Sequence, residues 1–291
     1  SGVSMDLVAI DGQDKQAGLK LIVRSGATAV GAEERTTGIS RAGQYHALVI
    51  GNDHYRQWTP LNTAVADATA VAKVLQDQYG FHVRLLKDSS RKEILQALND
   101  YRKTLSERDD LLVYYAGHGF LEPEIDRGYW IPIEGELLDN TEWIEFPAVT
   151  DLLELIPAKQ VLVVADSCFA GKLVRSAMAR LNPEVQDQAR QLLLKTIADK
   201  KIRTTLTSGG AKPVLDDGGA GHSIFAAAFV GVLSENKTAL ETERLFWTVR
   251  ARVVQAAERM KVEQIPTYGP IHMAGHEGLG DFVFVPARTR P

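Results

Sequence analysis

The chain contains one cysteine, and its position indicates a chemical role. Cys168 follows the apolar run 161–165, in the segment Val-Val-Ala-Asp-Ser-Cys-Phe-Ala-Gly. A single thiol can form no internal disulfide, so it is either an inert core residue or a reactive group. Catalytic groups of open α/β sheets gather at the carboxyl ends of buried parallel strands. The placement of Cys168 therefore favours a nucleophile.

A histidine stands at the end of a second apolar run. His118 lies fifty residues before Cys168 and follows the run 111–115, in the segment Ala-Gly-His-Gly. An imidazole beside a thiol can accept its proton and stabilise the thiolate. The backbone N–H groups of Gly119 and Cys168 are candidates for an oxyanion hole. The alternative is a buried cysteine and a histidine that caps a strand. The paired placement at two strand ends favours the catalytic pair, Cys168 and His118.

Composition excludes several classes of protein. The chain has 291 residues, of which 45% are apolar and 24% charged, as in ordinary globular domains. A net charge of −4 with scattered basic residues predicts no nucleic-acid partner. No apolar run has the length of a membrane span, and no signal peptide is visible. We therefore expect a cytoplasmic protein with no membrane partner.

Strand-like and helix-like segments alternate from residue 45 onward, which predicts an α/β fold with a mostly parallel sheet of about six strands flanked by helices. Strands are predicted at 47–50, 82–86, 111–115, 129–133, 160–165, 202–207 and 282–285. Helices are predicted at 62–78, 90–105, 149–156, 185–197, 223–233 and 243–260. Gly80 is a predicted helix stop, and Ser90 with Glu93 is a predicted capping box.

With these motifs the sequence resembles the caspase-like peptidases, specifically the metacaspase and bacterial orthocaspase branch. The matching segments are 45–51, 61–68, 115–119, 166–171, 207–210 and 221–225. The resemblance covers most of the chain and implies a caspase-like three-layer fold. It also implies a cysteine endopeptidase that works through an acyl-enzyme intermediate.

The resemblance divides the chain into a peptidase domain and its flanks. Residues 1–43 are expected to be a pro-segment, a linker or the tail of a preceding module. The peptidase domain is expected over 44–286, with a large portion 44–171, a linker 172–201 and a small portion 202–286. Residues 287–291 are a tail. An edge strand near Phe282 could pair between chains, as in dimeric caspases, but the metacaspase resemblance favours a monomer.

Acidic residues indicate the substrate preference. Asp166 lies two residues before Cys168, so we expect its carboxylate in the substrate pocket, where it would attract a guanidinium or ammonium group. By resemblance, Asp67 assists in binding this cation. Ala116 stands where many metacaspases carry a serine that lines the pocket, which removes one polar contact. The expected substrates are proteins or peptides with Arg or Lys before the scissile bond.

Three alternatives to this interpretation stay open. Asp67 can be a solvated helix residue, the peptidase can prefer a different residue, or the chain can be a non-catalytic caspase-fold interaction module. His222 competes with His118 for the role of base, although the apolar helix that follows it favours a capping or pocket-lining role.

The family resemblance raises two further questions, about calcium and about self-cleavage. Many metacaspases bind calcium through acids after the histidine motif, but the stretch 122–139 lacks the clustering of an EF-hand-like loop. We therefore expect no required cofactor and no metal site, with calcium dependence open and independence favoured. The linker is often cut during activation in this family. A solvated surface segment is the alternative. The candidate self-cleavage residues are Arg175, Arg180, Arg190, Lys201 and Arg203.

Overall fold

A six-stranded sheet organises the structure, a computed structural model that describes residues 43–167, 200–209, 221–271, 273–278 and 280–287. The strands are β1 (Tyr45–Gly51), β2 (His82–Lys87), β3 (Asp110–Ala116), β4 (Gly119–Glu122), β5 (Arg127–Trp130), β6 (Ile144–Glu145), β7 (Gln160–Asp166), β8 (Ile202–Thr207), β9 (Leu240–Glu241), β10 (Thr267–Pro270) and β11 (Val283–Phe284). The helices are α1 (Ala64–Tyr79), α2 (Arg91–Thr104), α3 (Phe146–Leu155), α4 (Ile224–Glu235) and α5 (Thr242–Arg259).

The central sheet has the strand order β10-β8-β7-β3-β1-β2. Its five strands from β8 to β2 are parallel, and β10 alone runs antiparallel, against β8. Every residue of β3, β7 and β8 is buried. Of these strands, β3 and β7 are continuous apolar runs rather than alternating ones, as is usual for strands buried on both faces, which is why the sequence pattern located them. The predicted mostly parallel sheet of about six strands is confirmed.

Helices cover both faces of the sheet and complete a three-layer fold. On one face, α1, α4 and α5 share an apolar cluster with strand residues such as Leu112, Tyr114 and Val164. On the other face, α2 and α3 pack against the alternate strand residues, including Val113 and Val163. Among the described residues, no helix is both long and apolar enough to cross a membrane.

The helix ends follow local sequence signals. Gly80 ends α1 in the left-handed conformation, with φ 65°, where a glycine has no Cβ to clash. Ser90 and Glu93 form the predicted capping box before α2. The Ser223 side chain accepts a hydrogen bond from Ala226 N and caps α4. The predicted helix at 185–197 lies outside the described residues.

The strands at the C-terminal end correct the sequence prediction. The predicted last strand is β11, which pairs with β9 in a separate two-stranded sheet, and Phe282 is fully buried. The predicted last strand thus lies outside the central sheet, and its pairing between chains stays a prediction. One edge of the central sheet is β10, which the sequence did not predict because Gly269 and Pro270 have low strand propensity. Proline is tolerated there because β10 is an edge strand. The monomeric state stays a prediction.

A small antiparallel sheet, β4-β5-β6, follows the histidine motif. The predicted strand 129–133 is displaced toward the N-terminus, to β5 at Arg127–Trp130. Tyr129 and Trp143 from this region form an apolar cluster with Tyr55, against which Trp58 packs. The cluster fixes the loop after β1 beside the histidine motif.

Candidate active site

The carboxyl ends of the central strands meet in register. Ala116 at the end of β3 pairs with Gly51 of β1 on one side and with Asp166 of β7 on the other. The turns that carry His118 and Cys168 therefore leave the sheet from adjacent strands. Ser167 is buried, whereas Cys168 lies outside the described residues. The side chain of Ala116 shares the face of the sheet on which α1 and α4 pack.

Hydrogen bonds fix the backbone of the predicted base. The N–H group of His118 donates to the Tyr55 hydroxyl at 2.8 Å. The carbonyl oxygen of His118 accepts from the Tyr115 hydroxyl at 2.9 Å and from Ile131 N at 3.0 Å. A Cβ atom at Gly117 would lie 2.6 Å from the Tyr55 hydroxyl and 2.9 Å from that of Tyr115. This close approach explains why glycine precedes the histidine.

The imidazole of His118 has a defined orientation. Its Nε2 atom lies 2.7 Å from the carbonyl oxygen of Thr59. Because a carbonyl only accepts, Nε2 carries the proton, and Nδ1 of the neutral ring is left as the acceptor. The ring packs against Tyr55 and Trp58, with centroid separations of 4.6 and 5.4 Å. The ring is thus oriented as a general base requires, with a third group that fixes its tautomer.

The backbone of Gly119 is suited to its predicted role. Ile131 N donates to His118 O, so Gly119 and Trp130 form a non-hydrogen-bonded pair in the β4–β5 ladder. The N–H group of Gly119 consequently points away from β5 and is not used in that ladder. Its role in an oxyanion hole stays a prediction, as does that of Cys168 N.

The structure brings Asp166 and Asp67 to one place, the start of α4. The Ser223 hydroxyl donates to Asp166 Oδ2 at 2.5 Å, and Ser223 N donates to Asp67 Oδ2 at 3.1 Å. The Nδ1 atom of His222 lies 2.5 Å from Asp67 Oδ1. Asp166 and Asp67 are 6% and 1% exposed, so Asp67 is not the solvated helix residue considered as an alternative. His222 contacts the Asp67 carboxylate, and its pocket-lining role stays a prediction.

The electrostatics of this acidic pocket follow from burial. Burial raises the pKa of Asp67, and the hydrogen bonds from His222 and Ser223 oppose that rise. Burial also raises the pKa of the Tyr114 hydroxyl, and the negative charges of Asp166 and Asp67 raise it further. Tyr114 is therefore a neutral neighbour of both carboxylates.

Three residues of the site, Thr59, Tyr55 and Ser223, could not be identified from their residue types. Thr59 acts through its backbone carbonyl, and a backbone atom has no signature in the residue type. Tyr55 and Ser223 are ordinary loop residues until the fold brings them to the strand ends. A serine directly before an apolar helix does signal a cap, but not a contact to Asp166.

The candidate self-cleavage residues divide into three groups. Arg175, Arg180 and Arg190 lie outside the described residues. Lys201 is half-buried before β8, with its carbonyl oxygen bound by Glu277 N at 2.9 Å. Arg203 is fully buried within β8, and a peptide bond in the middle of a central strand cannot enter a protease site. The burial of Arg203 therefore argues against self-cleavage there in the folded protein.

Across the described ranges, no group of three or more His, Cys, Asp or Glu side chains is placed to hold a metal ion. The expectation that calcium is not required stays a prediction.

Comparison with known proteins identifies the family. The profile of the caspase domain (Peptidase_C14) matches residues 44–273. Metacaspase-7 of Arabidopsis thaliana is 30% identical over 151 residues, which are 46% of this chain and 37% of that protein. Metacaspase-6 of the same plant is 27% identical over 154 residues, 46% of this chain and 40% of that protein. The alignments thus span well under half the length of these two relatives.

A solved structure supports the fold alone. A protein of Geobacter sulfurreducens superposes with a TM-score of 0.52 at 20% identity, covering 81% of this chain and 98% of that chain. The profile match extends from β1 to beyond β10 and includes both strand-end motifs. The chain therefore belongs to the caspase-domain family and contains a caspase-like cysteine peptidase domain of the metacaspase type.

Proposed function

We propose that the protein is a cysteine endopeptidase that hydrolyses peptide bonds after Arg or Lys. Cys168 is the nucleophile and His118 is the base. The observation that carries the specificity is the meeting of two buried carboxylates, Asp166 and Asp67, at Ser223. Asp166 lies two residues before the nucleophile and in register with Ala116, two residues before the base.

The reaction follows from the orientation of the imidazole. The Cys168 thiol gives its proton to Nδ1 of His118, and the thiolate sulfur bonds to the substrate carbonyl carbon. The N–H groups of Gly119 and Cys168 stabilise the oxyanion of the tetrahedral intermediate. The C–N bond breaks as the imidazolium returns the proton to the leaving amine. Water then hydrolyses the thioester and regenerates the thiol.

The acidic pocket favours a basic side chain before the scissile bond. Two carboxylates held out of water are a costly arrangement unless a cation joins them. A guanidinium or ammonium from the substrate supplies that cation, whereas an aspartate side chain would add a third negative charge. A purely structural role, in which both acids stabilise the positive N-terminus of α4, is the competing explanation.

The two explanations predict different effects of Asp166→Asn. On a panel of fluorogenic peptides with Arg, Lys or Asp before the reporter, we expect wild type to cleave the Arg and Lys peptides. Asp166→Asn is expected to lower kcat/KM for the Arg peptide by roughly 100-fold, as truncation of a buried charged partner does. Cys168→Ala is expected to be inactive on every peptide.

Asp281→Asn is the matched control for loss of a buried carboxylate at a helix start. Asp281 is buried and accepts from Glu243 N at 2.9 Å, at the start of α5 rather than of α4. An equal loss of activity in both variants would favour the structural role. Turnover of the Asp peptide alone would overturn the specificity, and no Cys168-dependent turnover would favour the non-catalytic interaction module.

Self-processing in the linker is a further part of the proposal. Prolonged incubation of active enzyme is expected to yield fragments cut after Arg175, Arg180 or Arg190, identified by mass spectrometry of the intact fragments. Lys201 is expected to be cut slowly, because its carbonyl is bound to Glu277 N. No fragment should begin after Arg203, and Cys168→Ala should stay intact. A wild-type chain that stays intact would refute self-processing.

A further inference from the structure

We infer that His222 is a specificity-determining residue that positions Asp67 to bind the basic side chain of the substrate. The inference rests on the proposed function and extends it to a residue outside the catalytic pair. His222 acts through Asp67, so it is a positioning residue and not a catalytic one.

The first step concerns what Asp67 needs in order to bind a cation. Asp67 is 1% exposed, so water cannot solvate its charge. Burial raises the pKa of Asp67, whereas the hydrogen bonds to its carboxylate lower that pKa and so favour the ionised form. A neutral carboxylic acid would attract a guanidinium far less than a carboxylate does. The donors on Asp67 therefore decide whether this residue contributes to specificity.

The second step concerns which donor has this role. Ser223 N binds Asp67 Oδ2 at 3.1 Å, and His222 Nδ1 lies 2.5 Å from Oδ1. The bond from Ser223 is a backbone contact and survives any substitution there except proline. The shorter contact comes from the imidazole, and it is the hydrogen bond that lowers the pKa of Asp67 most. The residue type at 222 therefore determines whether Oδ1 keeps this hydrogen bond.

The third step separates this contact from the stability of α4. The Ser223 hydroxyl already caps the helix by accepting from Ala226 N, and it joins α4 to β7 by donating to Asp166. His222 takes no part in these two bonds. Its ring is 35% exposed, whereas Asp67 is buried. Loss of the ring thus removes a partner of Asp67 and leaves the helix cap in place.

The fourth step concerns space for the substrate. A carboxylate accepts up to about four hydrogen bonds. His222, Ser223 and the Thr63 side chain supply three of them, which leaves one acceptor position for a guanidinium or ammonium group. The His222 ring is 35% exposed and the Asp67 carboxylate 1%, so the contact joins the buried carboxylate to a side chain that solvent reaches.

The test compares substitutions that keep or remove a donor at the Nδ1 position. The variants are His222→Ala, His222→Asn, Asp67→Asn and the double variant His222→Ala/Asp67→Asn. With the Arg peptide, His222→Ala is expected to raise KM about tenfold and to leave kcat within about twofold, because binding remote from the reacting atoms acts on KM.

His222→Asn retains an N–H donor near the Nδ1 position and should keep KM within about threefold of wild type. The double variant should be no worse than Asp67→Asn, since both substitutions remove the same interaction.

Several outcomes would overturn the inference. They are an unchanged KM in His222→Ala, a loss of kcat with constant KM, or effects that multiply in the double variant. Iodoacetamide labelling of Cys168, the only thiol, should proceed at the wild-type rate in each variant if the reactive centre is intact. His222→Gln, which moves the donor away from the Nδ1 position, serves as the second variant if His222→Ala does not fold, with the same tenfold rise in KM expected. A wild type without Cys168-dependent turnover refutes the proposed function, whereas an active wild type with a KM insensitive to His222 refutes this inference alone.

Discussion

His118→Ala is expected to lower kcat for the Arg peptide roughly 1,000-fold, the loss typical of removing a positioned general base. The carbonyl oxygen of Thr59 holds Nε2 at 2.7 Å, which leaves Nδ1 of the neutral ring as the proton acceptor. Without the ring, the Cys168 thiol loses the group that accepts its proton and later protonates the leaving amine. Steady-state kinetics at neutral pH measure kcat, and iodoacetamide labelling measures the thiolate, which should also form less readily.

His82→Ala is the matched control for His118→Ala. His82 is an exposed histidine at the opposite, amino-terminal end of a parallel strand, in register with His46 of β1. The control should retain wild-type kcat and labelling rate. If His118→Ala keeps kcat within tenfold of wild type, then His118 is not the base, and His222 becomes the histidine to test in its place.

The sequence was sufficient to predict the central sheet and the motifs at its edge. The strands β1, β3 and β7 are buried on both faces, so each is an uninterrupted apolar run bounded by glycine or polar residues. Parallel strands share a carboxyl edge, so locating the strands also located the turns of His118 and Cys168. Gly80 and the Ser90 capping box were predictable because helix ends follow local rules.

The contacts between these elements were not predictable from local rules. Asp67 lies 156 residues before Ser223, and nothing in either segment indicates that they meet. Thr59 contributes a carbonyl oxygen, for which any residue type would serve. The strand β10 contains glycine and proline, so its sequence does not predict a strand. It nevertheless pairs with β8 and forms one edge of the sheet. Non-local pairing therefore determines the acidic pocket, the orientation of His118 and the sheet edge.

A charged residue inside the core is the feature least expected from the sequence. Its substitution is expected to have the largest effect on the stability of the fold. Arg203 in β8 is fully buried. Its guanidinium donates to four backbone carbonyl oxygens, those of Leu153, Ile156, Lys159 and Ile202 at 2.7–3.2 Å. Burial lowers the pKa of Arg203 to about 10, so the side chain stays charged at neutral pH. Its positive charge lies at the C-terminal end of α3, where the helix dipole is negative.

Arg203→Met is expected to destabilise the fold by about 3–5 kcal/mol, since it leaves buried carbonyl oxygens without their donor. Methionine fills much of the same volume, so the loss reports hydrogen bonds rather than a cavity. Urea unfolding in a Cys168→Ala background, which prevents self-cleavage, measures the free energy of unfolding. Arg252→Met is the matched control, because Arg252 binds Glu235 through two hydrogen bonds of 3.0 and 2.6 Å at the surface, where water screens the pair. The control should leave the urea midpoint nearly unchanged. Equal urea midpoints for the two methionine variants would contradict this prediction. They would show that the four hydrogen bonds of Arg203 contribute no more to stability than a surface ion pair does.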